Sequence, residues 1–430
     1  MERTREAGTV AQSVARHSYG KLIAFLAART RDIAGAEDAL SEAFVSALGG
    51  WAATGLPANP EGWLLTVARR RLIDAARRRE TESGAADHLN LLAGEIRDAG
   101  GGSDIPDERL RLMFACAHPA IDRQIRGPLI LQAVLGFDAA LIAGHYLVAP
   151  ATMGQRLARA KAKIKQAGIA FRLPDRAEMP RRLDAVLEAI YAAFTEGWSD
   201  PAGTRRRGRE LVEEALWLGR LVATLLPDEP EALGLLALML HLEARRDARR
   251  DGQGDYIALT DQDPSVWDAA LIDEAEDILL GASHMGRIGR YQLEAAVQSA
   301  HAIRRFGRAP DWAVLVTLYD ALLTVTASPV VDINRAMVIA EVSGPEDGLA
   351  ALGRVDPQGR LSRYQPYWAA RAELLARCGR AAEADEAYAC AIRLETDPSV
   401  RRFLHGRRSR SPAPPAADDP IGNEPATGEA

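Results

Sequence analysis

The chain has 430 residues, 26% of them charged and 47% hydrophobic, with a formal net charge of −6. This is the composition of a globular protein of roughly two to four domains. It excludes a protein that coats nucleic acid over its whole surface, but not one with segregated basic patches.

The opening residues, MERTREAGTV, lack the apolar core of a signal peptide. The longest apolar run, Leu233 to Leu240, falls short of the ~20 residues that a bilayer span needs. Cys116, Cys378 and Cys390 lie far apart in helical patterns. Neither a disulfide framework nor a zinc knuckle is expected, and a reducing cytoplasm is the natural setting.

Period-two alternation of β-branched residues is scarce, while the i, i+3, i+4 pattern recurs almost throughout, which predicts an all-α fold. The first helical block covers Val10 to Arg79, and the stretch from Ala36 to Arg79 organises it. Its first helix buries Leu40, Ala43, Phe44 and Ala47 and shows Glu37, Asp38 and Glu42 to one side. After a Gly/Pro turn, Leu65, Ala68, Leu72, Ala75 and Ala76 share one face of a second helix. Arg70, Arg71, Asp74, Arg77 and Arg78 take the other. Such a unit joins a protein partner to a polyanion.

Glu80 to Pro106 has the small, polar, Gly-rich composition of a flexible linker. In the next block, Asp107 to about Lys165, helices are expected over Leu129–Phe137 and Ala139–Tyr146, then a turn over Leu147–Thr152. Thr152 is placed to cap a third helix, with Gln155 completing a capping box. Met153, Leu157, Ala160 and Ile164 form its inner face, and Gln155, Arg156, Arg159 and Lys163 its outer face. This is a helix-turn-helix whose last helix suits a major groove, where Arg reads guanine and Gln reads adenine. Lys161 and Lys165 are assigned to backbone or water.

Gly168 to Pro180 reads as an extended connection, and helices return from Arg181 to His405. Tyr367–Leu404 has the form of one helical-repeat unit, with Ala370, Ala372, Ala382, Ala387 and Ala391 allowing close approach around Gly379. In DGQGDYIALTDQD, Asp251, Asp255, Asp261 and Asp263 do not match calcium-loop spacing. A structural loop with capping aspartates, or a surface docked on other segments, is expected there. His241, His284 and His301 lack metal-ligand spacing, no catalytic series is discernible, and no cofactor is expected. Gly406 to Ala430 reads as disordered.

Together these residues resemble an extracytoplasmic-function sigma factor of bacterial RNA polymerase. AEDALSEAF with NPEGWLLTVARRRLIDAARR looks like sigma region two, and LRLMFACAHPAI through ATMGQRLARAKAKI like region four, with no region one or three. The remainder, including FTEGW, LLPDEPEALGLLALMLHLEARRDAR and SPVVDINRAMVIAEVSGPEDGLA, is similar to the group with a long C-terminal tetratricopeptide-like extension. Ser41, Arg70, Gln132, Leu141, Thr195 and Pro264 depart from that pattern, as does Gly144–His145 inside a helix. These departures bear on promoter specificity more than on the fold.

The resemblance implies a domain order: region two over 10–80, a linker over 81–106, region four over 107–167, an extension over 174–405 and a tail over 406–430. It implies that Glu37, Asp38 and Glu42 dock on core polymerase. Trp63, Arg70, Arg71, Arg77 and Arg78 would meet the −10 DNA near the Thr54–Pro60 loop. Thr152, Gln155, Arg156, Arg159 and Lys163 would meet the −35 DNA. The extension would regulate or support initiation, through contact with the sigma regions in the same chain. The residues alone also fit a helix-turn-helix regulator that acts on duplex DNA without polymerase.

Overall fold

The computed structural model describes residues 2–83, 108–146, 148–175, 177–198, 206–355 and 361–410. Among them every regular element is a helix, apart from an isolated bridge between Arg250 and Tyr256. The all-α expectation holds. Packing divides the chain into two compact units. One comprises the described residues up to 198 together with Arg206–Leu225, and the other begins at Leu226.

The first unit opens with α1 (Glu2–His17), α2 (Tyr19–Thr30), α3 (Ile33–Thr54) and α4 (Pro60–Ser83). Leu22, Phe25, Leu26, Leu40, Trp51 and Leu64 are buried among them. Arg31 turns the chain between α2 and α3 with a left-handed φ of 53°. The Asp32 carboxylate then caps α3 by accepting the Gly35 N–H at 3.0 Å. Along α3, Ala36, Leu40, Ala43, Ala47 and Trp51 recur at helical spacing and are buried. Thr81–Ser83 still belong to α4, and the rest of the expected linker lies outside the described residues.

Next come α5 (Arg109–Cys116), α6 (Arg123–Ala133), α7 (Ala139–His145) and α8 (Pro150–Gln166). The helix expected over Leu129–Phe137 thus begins six residues earlier, because the Asp122 carboxylate caps it by accepting the Gln124 N–H at 2.8 Å. It ends at Ala133 because Gly136 is left-handed, with φ 67°. Gly136 and Phe137 return their N–H groups to Gln132 and Leu131 at 3.1 Å each, a Schellman end. Two further helices, α9 (Pro180–Trp198) and α10 (Arg206–Leu225), pack together and complete the unit.

The second unit runs through α11 (Pro230–Glu243), α12 (Ala269–Ser283), α13 (Arg290–Ala302), α14 (Trp312–Thr326), α15 (Pro329–Ser343), α16 (Pro345–Val355), α17 (Gln365–Arg377), α18 (Ala381–Leu394) and α19 (Pro398–Arg410). Its later core is a string of clusters in which one helix serves two neighbours. Val331 and Val338 of α15 join Leu315 and Leu322, while Ile333, Ala336 and Ala340 of the same helix join Leu352 and Leu374. In the repeat-like unit Ala372, Ala387 and Ala391 are buried as expected, but Ala382 is exposed and Ala384 takes its place.

The aspartates of the acidic stretch serve as caps and arginine partners, as a structural loop requires. Asp251 accepts the N–H groups of Gln253 and Asp255 at 2.9 Å, and Asp263 that of Ser265 at 2.9 Å. Asp255 pairs with Arg402 and Asp261 with Arg407. The expected disordered tail is corrected over 406–410, which are helical. Arg408 grips Asp385 there with Nε at 2.5 Å and Nη2 at 2.7 Å, and Arg407 holds the acidic loop. Residues 411–430 lie outside the described residues.

His241 and His301 of this unit are held neutral. Burial and the Arg245 guanidinium push both down to about 4 from the usual 6.5, and Glu276, 3.6 Å from His241, does not offset this. The unfolded chain therefore binds more protons between those two values, so stability falls as pH drops through that window. The expected loss is about 1.4 kcal/mol per pH unit for each ring. Urea unfolding followed at pH 6.5 and 4.5 checks it: exchanging both histidines for glutamine should flatten the dependence relative to the parent chain.

Candidate polymerase and nucleic-acid interface

The outer face of α3 combines acid and apolar groups. Asp38 and Glu42 are exposed, and one turn further on Val45 and Leu48 remain 71% and 50% exposed. Glu42 also meets Arg71 Nε at 3.2 Å, but both side chains are about half exposed, so this pair adds little stability. Glu37 lies about 100° round the helix from Asp38 and takes a different partner. Lys161 of α8 donates to both its carboxylate oxygens, at 2.7 and 2.5 Å, and Lys161 is only 9% exposed. Burial pushes the Glu37 carboxyl up, and Lys161 pulls it partly back.

The expectation that Lys161 and Lys165 touch backbone or water is corrected. Lys165 reaches Asp32 at 2.5 Å, so both lysines hold carboxylates of α3 across more than a hundred residues of sequence. No signal in the local sequence marks that pairing. Its trace is only the i, i+4 spacing of the two lysines, which puts them on one stripe of α8.

On α4, Arg70, Arg71 and Arg77 are exposed; the Arg78 side chain lies outside the described residues. Arg69, which sequence reasoning passed over, turns inward. Its guanidinium stands 5.0 Å from the Phe25 ring, with Arg29 3.5 Å from the same ring, and its Nε is buried without a partner. Before α4, the chain turns at Gly55, whose φ of 87° suits glycine, and Asn59 accepts the Gly62 N–H at 2.9 Å to start the helix. Thr54, Gly55 and Leu56 of this turn are exposed. Trp63 is half-buried, packed edge-on against the buried Trp51 at 5.4 Å and 66°.

In α8, Met153, Leu157, Ala160 and Ile164 face inward, and Thr152, Gln155, Arg156, Arg159 and Lys163 are all exposed. The capping role expected of Thr152 is corrected. Ala149 occupies the cap position and Pro150 the first turn, so Thr152 already lies inside the helix. Proline is favoured there because its fixed φ is helical and its missing N–H would have had no partner. Arg156, Arg159 and Lys163 also line a cleft of about 410 Å³ with Asp122 and Gln124 of the α6 start. The α7 helix is capped by Asp138, which accepts the Leu141 N–H at 2.7 Å.

Around this face the first unit is tied to its last two helices. Arg182 of α9, 3% exposed, donates to the Phe114 carbonyl at 3.3 Å. Arg109 at the start of α5 pairs with Glu214 of α10 and stands 4.3 Å from the Trp217 ring. Among the described residues no group of three or more His, Cys, Asp or Glu side chains is placed to hold a metal ion. No described helix is long and apolar enough to cross a membrane.

Residues 14–82, which carry the acidic and apolar face of α3 and the arginine face of α4, match the family model Sigma-70 region 2. The chain belongs to the sigma-70 family, whose role is promoter recognition with RNA polymerase. It is also 38% identical over 387 residues to an uncharacterized protein of Rhizobium meliloti (strain 1021), covering 89% of this chain and 91% of that relative. Residues 182–283 match a family of unknown function, DUF6596. No solved structure matches the chain.

Because Trp63 is half-buried and packs edge-on against Trp51, Trp63→Ala should lower the stability of the first unit by about 1–2 kcal/mol. Trp63→Phe should lose less. The urea midpoint of unfolding measures both, and equal stability of the alanine variant would remove Trp63 from the core.

Proposed function

We propose that this chain is an alternative sigma factor of the extracytoplasmic-function class, which uses two DNA-facing helices and one polymerase-facing helix within its first unit. The observation that carries the reading is that the exposed cations of α4 and α8 form separate faces, each distinct from the acidic and apolar face of α3. Asp38 and Glu42, joined by Val45 and Leu48, serve as the docking surface for core polymerase. Apolar contact supplies the affinity there, and the carboxylates supply orientation.

Arg70, Arg71, Arg77 and Arg78 hold phosphates at the −10 element, and the exposed Thr54–Pro60 turn with Trp63 lies where an unstacked base is held. The segment from α6 to α8 acts as a helix-turn-helix at the −35 element. There Gln155, Arg156, Arg159 and Lys163 reach base edges, and Thr152 reaches the backbone at the groove entrance. The second unit, a run of tetratricopeptide-like hairpins, regulates or supports initiation.

Run-off transcription tests the reading. A transcript from the chain's own promoter should require both this protein and core polymerase, and Val45→Asp with Leu48→Asp should abolish core binding while leaving the fold intact by circular dichroism. Footprints on duplex DNA in the absence of polymerase, with no transcript in its presence, would instead identify a repressor-like regulator. In the holoenzyme, joint alanine replacement of Arg70, Arg71 and Arg77 should reduce the slope of log affinity against log salt by about 0.9 for each phosphate that is no longer neutralised.

The packing also shows where the second unit should be removed. A cut near Phe171 would strip α9 and α10 from α5, so the informative truncation ends at Leu225. That truncation is expected to change transcript yield at equal core concentration, and an unchanged yield would overturn any regulatory or supporting role for the second unit.

A further inference from the structure

We propose that the second unit carries a binding site for a small phosphate anion, built on Arg245, Arg249 and Arg304 around the indole of Trp267. The site lies where the end of α11, the acidic stretch after it and the turn after α13 meet.

Arginines are numerous in this region, and most have an acidic partner. Arg250, Arg305, Arg402 and Arg407 each meet an aspartate, and Arg246 meets Glu243. Arg245 and Arg304 do not. Among the described residues Arg245 donates only to the His241 carbonyl at 3.4 Å and to Gln298 Oε1 at 2.5 Å. Arg304 donates only to the carbonyls of Leu259, Thr260 and Gln262. Arg245 is 9% exposed, so its charge has neither much water nor a carboxylate beside it. A guanidinium in that setting is costly unless an anion meets it.

The two guanidiniums converge. Their central carbons stand 5.9 and 5.5 Å from the centre of the Trp267 ring. Burial first, then Arg245 and Arg304 together, hold His301 down to about 4. Burial and then the charges of Arg249 and Arg304 lower Arg245 itself to about 10, so three cations share one small region. The nearby carboxylates are engaged elsewhere, Asp261 with Arg407, Asp397 with Arg250 and Glu276 with Ser299.

Two uncharged groups of the same segment narrow the chemistry. Trp267 Nε1, a donor, and Gln262 Oε1, an acceptor, are buried without a partner, and both side chains are only 5% exposed. Gln262 Nε2 donates to the Ile257 carbonyl at 3.3 Å, which orients the amide and leaves its oxygen to accept. Several positive charges, a neutral donor and one acceptor match monohydrogen phosphate, a dianion that still carries a hydroxyl. Guanidinium forks fit its oxygens in pairs, the indole N–H fits another, and Gln262 accepts the P–O–H. Sulfate has similar size and charge but no hydroxyl to donate. Arg245 lies too deep for a nucleic-acid backbone, whereas half-buried Arg249 and Arg304 leave a small ion a side from which to enter.

The test uses the full-length protein labelled with 5-fluorotryptophan, in which Trp267→Phe assigns one of the seven indole resonances. Titration with inorganic phosphate near neutral pH, at an ionic strength held constant with chloride, should move the Trp267 signal saturably. Sulfate should bind at least about tenfold more weakly, because the acceptor then goes unmet. Arg245→Gln should abolish the movement with helical circular dichroism retained. If that variant unfolds, urea unfolding decides instead. Saturating phosphate should raise the midpoint of the parent chain, and raise that of Trp267→Phe less, because this variant keeps an aromatic ring and lacks the N–H. The general salt effect of phosphate is common to both chains.

A Trp267 signal that shows no saturable movement by ~10 mM phosphate, an order of magnitude past a millimolar dissociation constant, overturns the site. So does an equal response in folded Arg245→Gln, or an equal rise in midpoint for the parent and Trp267→Phe. Equal binding of sulfate overturns the part given to Gln262. None of these readouts involves polymerase or DNA, so they stand apart from the run-off result.

Discussion

Within the first unit, segments more than a hundred residues apart are joined by a largely buried ion pair, Lys161 with Glu37. Removing both charges from water costs several kcal/mol per ion, which their mutual attraction recovers only with good geometry. The lysine meets both carboxylate oxygens, which supplies that geometry. The opposition is visible at Glu37, where burial pushes the carboxyl up and Lys161 pulls it down. Replacing such a pair by well-packed apolar side chains is often neutral or stabilising, whereas removing one partner alone leaves an uncompensated charge.

The second unit relies on a different cation. Its acidic loop is held by arginines. Arg304 donates to the carbonyls of Leu259, Thr260 and Gln262, Arg250 meets Asp397 and Ser399, and Arg402 and Arg407 reach in from α19. The planar fork of arginine fixes several acceptors at once, which makes a standing scaffold. The contact between α8 and the start of α3 uses lysines, whose point charge on a flexible stem meets a carboxylate with little orientational demand. Aspartates that looked in the sequence like a candidate cation loop are therefore the receiving side of a cationic frame.

What was legible followed from local periodicity. The inner and outer faces of α8 came directly from 3.6-residue spacing, as did Leu40, Ala43 and Ala47 of α3, where Phe44 is only half-buried, and the helical character of the described chain. Errors arose where one residue decides a boundary or where a partner lies far along the chain. Pro150 displaced Thr152 from the cap, Asp122 moved the start of α6, and Arg407 and Arg408 carried α19 past Gly406. Glu37 and Asp38 are adjacent in sequence and chemically alike. Only the position of Lys161, 124 residues away, separates a buried partner from an exposed one.

Family matches and packing divide the chain at different points. The matches to known families end at residue 82 and resume at 182, which suggests a sigma portion followed by an extension. Packing places α9 and α10 with the sigma helices instead. Arg182 bonded to Phe114, and Arg109 paired with Glu214 while stacked near Trp217, fasten these two helices to α5 by buried contacts. Against α1–α4, the α5–α8 segment has the lysine pairs and the close Gly20–Val134 approach. A cleft of about 380 Å³ lies beside that contact, lined by Gln12, Tyr19 and Gly20 on one side and by Arg109, Glu210 and Glu214 on the other. Arg182 and Arg109 thus tie α9 and α10 into the same packing as α5, which is why these two helices belong with the first unit.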